Sequence, residues 1–479
     1  MAKVRKDMET QTPTGDFFEE EIVVPTEAPP STSLYDLSGH YAYLQDSASD
    51  ALSHVSNSWP NTQRCSAGVF SSLENQLATL IMLTLASRFM TLTYFIPDRL
   101  KQLVNACFAF YVFRIFCPND IVFQASTAFC LLTVIYLTYS RYRQKGYLIT
   151  VLAVSGIISL QWITSAKVFT QHRGLLMILA MKLSALAFDS QNIVHDPVLA
   201  FTYLFNPATV IFGPFVSYRD YVDSFRRKGG FWPEVENIWN AVYSLLMAGI
   251  WVLTSSCADT IIPNASQNQQ AFNTAFSFRS SHYFISYLSQ ALAILAGYNL
   301  VVTRPLEVEL PRSIGALVTS WNVPMHDYLK KYIYKKFITS GPFIAILATF
   351  GISSLLHGIN AQFSLVLLTL GFNAYFEAQL RDSLARLLGN VDIGARSERY
   401  RKQNVISHGI NFLFMLLNIH QLIYLGMPFV SKLQDTGYHW EHTLASWERY
   451  RYCGHIVIAT QAILSFLLQF PANYRKWRR

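Results

Sequence analysis

Residues 341–358 read Gly341-Pro342-Phe343-Ile344-Ala345-Ile346-Leu347-Ala348-Thr349-Phe350-Gly351-Ile352-Ser353-Ser354-Leu355-Leu356-His357-Gly358, most of an apolar run at roughly 343–360 that carries a histidine near its end. A second apolar run, 361–378, follows at once. Runs of this kind have no water-facing side and read as membrane helices. Others occupy roughly 77–97, 102–117, 121–140, 147–163, 237–256, 282–303, 407–426 and 453–470. Of the 479 residues 51% are hydrophobic and 14% charged, and the mean hydropathy is +0.23. Ordinary soluble proteins carry about 25% charged residues, so a large soluble enzyme is excluded. The run from 175 to 216 differs: Lys182, Asp189, His195, Asp196 and Pro197 interrupt it, followed by Asn206-Pro207 and Gly213-Pro214. Polar and helix-breaking residues survive at membrane depth only where they are buried in protein or line a cavity. One crossing plus broken or re-entrant pieces is expected there.

The net charge of +8 does not indicate nucleic-acid binding, because the basic residues fall in short clusters between apolar runs. The clusters are Arg99/Lys101, Arg141/Arg143/Lys145, Arg226/Arg227/Lys228, Lys330/Lys331/Lys335/Lys336, Arg396/Arg399/Arg401/Lys402 and Arg475-Lys476-Trp477-Arg478-Arg479. Basic loops stay on the cytosolic side of a membrane. Placing all of them there gives about eleven transmembrane helices, a lumenal N-terminus and a cytosolic C-terminus. The expected fold is an all-α polytopic membrane protein with re-entrant and interfacial helices between the crossings. The same alternation puts 257–281 in the lumen, with the glycosylation sequon Asn264-Ala265-Ser266. Residues 1–75 hold eleven acidic residues against four basic ones and read as a largely disordered acidic tail. The remainder, 76–475, reads as one membrane domain. The six cysteines show no CxxC pair and read as packing residues, without a disulfide framework or a metal site.

His357 stands out among the twelve histidines. An ionisable side chain inside a membrane helix is costly and is a functional candidate by default. At about 1.5 Å per residue it lies roughly 24 Å along its helix, in a core about 30 Å thick, nearer the far side than the cytosol. A hydrogen-bonded structural histidine near the helix end fits the spacing equally well. Upstream, Arg304-Pro305-Leu306-Glu307-Val308-Glu309-Leu310-Pro311-Arg312 and Thr319-Ser320-Trp321-Asn322-Val323-Pro324-Met325 are too polar to span. Asn322 taken alone is a turn residue. Tyr328, Tyr332 and Tyr334 then interleave with Lys330, Lys331, Lys335 and Lys336. This pattern suits an amphipathic element at the cytosolic face, with lysines available to phosphates or serving as a plain anchor.

Trp321-Asn322, Tyr328-Leu329, Tyr332-Ile333-Tyr334 and Leu355-Leu356-His357-Gly358 together resemble the membrane-bound O-acyltransferases. The Glu307–Arg312 stretch resembles more specifically the branch of that family that acylates a serine of secreted Wnt proteins. Met181-Lys182, Phe188-Asp189 and Ile211-Phe212-Gly213-Pro214 extend the likeness, and Tyr328 departs from it where a tryptophan is expected. The resemblance implies a multi-pass endoplasmic reticulum enzyme with a central tunnel. Its donor would be palmitoleoyl-CoA from the cytosolic side and its acceptor a Wnt protein on the lumenal side. It also implies no tightly bound cofactor, no metal and no nucleic-acid partner, with membrane lipids as the surroundings. His357 and Asn322 would be catalytic, and Trp321, Tyr328, Tyr332, Lys330, Lys331 and Lys335 would line the substrate path.

The chemistry is consistent with that assignment. A serine hydroxyl needs a base, and a neutral histidine, with an ordinary pKa of about 6.5, can serve near neutral pH. A side-chain amide such as that of Asn322 can donate to the tetrahedral oxyanion. Two alternatives remain at this point. The acceptor could be a lipid or another secreted protein, or the chain could be a transporter that uses His357 as a proton relay.

Overall fold

The computed structural model describes residues 37–93, 95–193, 196–226, 230–261, 266–396, 402–430 and 440–477. Residues 1–36, the Asn264 sequon and parts of three basic clusters lie outside them. The chain divides into two units, Met1–Asn57 and Ser58–Arg479. Helix α1 runs Leu37–Leu92. The acidic residues concentrate before Leu37; from there to 75 only Asp46, Asp50 and Glu74 are acidic.

Then come α2 (Asp98–Phe116), α3 (Asp120–Tyr139), α4 (Lys145–Ile163) and α5 (Ala166–Ile193). The interrupted run continues as α6 (Pro197–Leu204) and α7 (Pro207–Val210), each opened by a side-chain cap, Asp196 and Asn206, before a proline. Helices α8 (Tyr218–Arg226), α9 (Phe231–Ile261) and α10 (Gln267–Leu295) lead to three short pieces, α11 (Pro305–Glu309), α12 (Ile314–Trp321) and α13 (Val323–Leu329). After a π-helical turn, Lys330–Tyr334, come α14 (Lys335–Phe337), α15 (Pro342–Leu356), α16 (Ala361–Leu387) and α17 (Val405–Gly426). A final pair, α18 (Trp440–Arg449) and α19 (Cys453–Trp477), completes the chain. Among the described residues there is no sheet, only a bridge between Val391 and Lys402.

Among the described residues five helices are long and apolar enough to cross a membrane: Pro60–Leu92, Asp120–Tyr139, Lys145–Ile163, Trp232–Cys257 and Val405–Gly426. A sixth is reached if α18 and α19, bent by 79°, count as one. Length and composition alone therefore do not give eleven. The reason is polarity turned inward. Buried Asn273, Arg279, Ser286 and Gln290 lie on α10, and buried Gln362, Asn373, Glu377 and Arg381 on α16.

Those buried groups hold the broken segment that follows α10. Gln290 Oε1 accepts from Val302 N at 2.9 Å while its Nε2 donates to Ser244 at 3.1 Å. Arg279 makes two bonds to Glu309, at 2.8 and 3.0 Å, and Tyr283 donates to the same carboxylate at 2.7 Å. Glu377 accepts from Ile314 N at 2.7 Å and from Asn418 at 3.1 Å, and pairs with Arg381 at 2.7 Å. Arg381 also donates to the Ile393 carbonyl at 2.8 Å, to Asn411 at 2.9 Å and to the Arg312 carbonyl. Fully buried Lys182 donates to the Tyr203 carbonyl at 3.0 Å and to Thr209 at 2.6 Å. A cation at the end of α6 suits the negative pole of that helix.

One expectation fails outright. Cys65 and Cys257 form a disulfide that ties α1 to α9 across 192 residues of sequence. Spacing could not reveal it, because the partners meet only once both helices have packed.

The Glu377–Arg381 pair is 1% and 0% exposed. Breaking a buried pair leaves an uncompensated charge, at about 3–5 kcal/mol. Arg381→Met should therefore lower the thermal midpoint of the detergent-purified protein sharply, whereas Lys335→Met on an exposed side chain should not move it. Equal midpoints for the two variants would show that the network does not hold the bundle.

Candidate active site

Helix α15 has 15 residues and rises about 22 Å, less than a hydrocarbon core of about 30 Å. His357 is its C-cap, with its backbone N–H on the Ser354 carbonyl at 3.0 Å. Gly358 then turns the chain at φ +81°. Ile359 N donates to Gln161 Oε1 at 2.7 Å and its carbonyl accepts from Gln161 Nε2 at 2.9 Å, so the turn is clamped to the end of α4. A Cβ on Gly358 would come within 2.7 Å of both Gln161 Oε1 and the Phe169 ring, which leaves room only for glycine.

The His357 imidazole is half-buried and stacks on Phe363, with centroids 4.7 Å apart and planes at 10°. Its ring nitrogens bond to no protein group among the described residues, whereas His172, His282, His442 and His455 each have a ring nitrogen engaged. Arg173 lies over the same Phe363 ring at 4.6 Å. From there the aromatic surface continues through Phe429 (5.3 Å) and Phe278 (4.1 Å) to Trp321 (6.1 Å), which stacks on His282 at 4.1 Å and 6°. His357 and Trp321 thus face one apolar, ring-lined wall, a surface suited to an acyl chain.

Asn322 follows Trp321 at the break between α12 and α13. Its Oδ1 accepts from Met325 N at 3.0 Å and caps α13. Because a backbone N–H fixes which end of the amide is oxygen, the NH₂ group is the end left to donate elsewhere. Asn322 and His357 make no direct contact. His282 stacks on Trp321, the residue directly before Asn322. His282 is not among the site residues expected from the sequence. Its signal was the register Ser281-His282-Tyr283 with Ser286 and Gln290, a polar stripe on an otherwise membrane-like run.

The remaining expected site residues divide. Tyr328 is buried, bonds Ser184 at 2.6 Å and packs on Phe215, so its hydroxyl is already engaged in the interior. Tyr332 is likewise buried, donating to Asp189 at 2.6 Å. Lys331 pairs with the same carboxylate at 3.0 Å and lies over the Tyr332 ring. Its charge is therefore already engaged. Lys330 and Lys335 are exposed and form no ion pair among the described residues. The π-helical turn at Lys330–Tyr334 produces this division, widening the helix so that Tyr332 and Ile333 point inward between exposed lysines. Among the described residues no three His, Cys, Asp or Glu side chains gather as a metal site. A cavity of about 30 Å³ lies beside Arg88, Asn105 and Tyr221, large enough for water but not for an acyl chain.

Residues 102–381 match the model of the membrane-bound O-acyltransferase family. The chain is 32% identical over 332 residues to the protein-serine O-palmitoleoyltransferase porcupine of Mus musculus, covering 60% of this chain and 71% of that protein. The protein of the same name from Anopheles gambiae is 32% identical over 351 residues, 64% of this chain and 70% of the relative. That of Homo sapiens is 32% identical over 331 residues, with coverage of 60% and 71%. The family match takes in the His357 turn and the Trp321-Asn322 break, and the chain belongs to the membrane-bound O-acyltransferase family.

Proposed function

We propose that this enzyme transfers a long-chain acyl group, palmitoleoyl, from acyl-CoA to a serine hydroxyl of a secreted Wnt protein in the endoplasmic reticulum. The observation that carries the reading is the His357 imidazole, set at the end of the 15-residue helix α15 beside an aromatic wall, with its nitrogens unengaged. Its neutral ring takes the proton as the serine oxygen attacks the thioester carbonyl. The Asn322 amide donates to the oxyanion that forms. Collapse expels the CoA thiolate, which recovers the proton from His357. No covalent enzyme intermediate is needed, provided a tunnel lets both substrates meet. The family assignment displaces the transporter reading, and the relatives' shared name favours a protein over a lipid acceptor.

The proposed topology has eleven crossings, with the N-terminus lumenal and the C-terminus cytosolic. The disulfide supports it, because disulfides persist in oxidising compartments and this one joins α1 to the end of α9 that charge alternation puts in the lumen. Lys330 and Lys335 then lie on the cytosolic side, available to the CoA phosphates. A C-terminal tag in intact microsomes should be cleaved by added protease; a protected tag would reverse the orientation.

His357→Ala should bind palmitoleoyl-CoA and insert normally but transfer no acyl group to a Wnt-derived serine peptide. Wild-type transfer at pH 6–8, the range in which a histidine titrates, would remove His357 from the reaction.

Asn322→Asp isolates the amide donor, because a carboxylate can still cap α13. Its turnover should fall by about 10²–10³ with the fold intact. Asn322→Ala also loses the cap, worth about 1 kcal/mol. Unchanged turnover in Asn322→Asp would leave Asn322 a capping residue alone.

A further inference from the structure

The backbone around Asn322 is tied down on every side. The Ser320 carbonyl accepts from Arg304 N at 3.0 Å and from Thr303 Oγ1 at 3.2 Å. Val323 N donates to the Val302 carbonyl at 2.9 Å. The Trp321 carbonyl, at the end of α12, would be an orphan acceptor of a terminated helix. Its partner is His282 Nε2 of α10, at 2.8 Å, with Ser286 Oγ 3.3 Å from the same nitrogen. A carbonyl oxygen only accepts, so Nε2 carries the proton. The same imidazole lies flat on the Trp321 ring at 4.1 Å. His282 therefore grips one residue twice, by its carbonyl and by its indole, directly before the amide proposed to meet the oxyanion.

We propose that His282 is a positioning residue for acyl transfer: through the Trp321 carbonyl it sets the angle at which Asn322 reaches the reacting carbonyl. The inference rests on the roles proposed for Asn322 and His357. Displacing a catalytic group by about 1 Å can cost about 10²-fold in rate, and the two grips can be separated by substitution. His282→Phe keeps a flat ring on Trp321 and removes the N–H donor. His282→Gln reaches about as far and restores a donor without the ring.

Expected for His282→Phe is a kcat lowered about 10- to 100-fold with KM for palmitoleoyl-CoA within about twofold of wild type; His282→Gln should recover most of the loss. If the phenylalanine variant does not fold, His282→Met, which also lacks a donor, makes the same comparison. A double-mutant cycle supplies the readout that a merely structural role would not move. If His282 acts through Asn322, adding His282→Phe to Asn322→Asp should cost little further activity. Wild-type kcat in His282→Phe, equal losses in the Gln and Phe variants, or full additivity with Asn322→Asp would each overturn the proposal. His357→Ala is assayed alongside: if it remains active, the underlying reading of the site fails, whereas its inactivity beside an active His282→Phe sinks only this inference.

Discussion

A peptide that leaves helical geometry at membrane depth must still find partners for every N–H and C=O, since hydrocarbon offers none. The stretch from Val302 to Asn322 is such a peptide, and the architecture around it follows from that demand. Carboxylates, guanidiniums and amides on α10 and α16 supply the bonds: Arg279 with Glu309, Gln290 with Val302, Glu377 with Ile314, Arg381 with Arg312. Helices carrying so much polarity cannot face lipid. The five that pass as plain membrane spans are buried over only 11–39% of their apolar windows, so most of that apolar surface is left to face lipid.

The same constraint explains what the sequence disclosed and what it hid. Apolar runs mark helices well, and each run identified from residue 77 onward overlaps at least one, although 282–303 extends beyond the end of α10 and 175–216 is divided among α5, α6 and α7; run length does not say which side of a helix is buried. Inward charges on α10 and α16 lower the hydropathy of the helices nearest the site. His357 was legible because an ionisable residue interrupts an apolar run, and Asn322 because it sits beside tryptophan and proline. His282 was not, since a histidine at the start of the apolar run 282–303 is ordinary until its partner Trp321, 39 residues away, is placed against it. The disulfide was hidden for the same reason at greater range.

The tyrosine-lysine element shows a subtler limit. Alternating Tyr and Lys reads as one amphipathic face, yet the π-helical turn changes the register within five residues. Tyr332 goes inward, Lys331 is drawn onto Asp189, and the lysines to either side stay exposed. Composition identified the element as interfacial; only the backbone decided which cations were already neutralised.

Gly358 carries a consequence for how such a sequence can drift. Its positive φ and the 2.7 Å approach of both Gln161 and Phe169 mean that no one of these three positions can vary independently. Enlarging residue 358 requires a shorter side chain at 161 and a smaller one at 169 at once. Replacing Gln161 frees the Ile359 backbone and loosens the adjoining histidine. Substitutions at 161, 169 and 358 should therefore travel as a set among descendants of this chain, and α4, which contributes no reacting group, inherits the evolutionary restraint of the residue it braces.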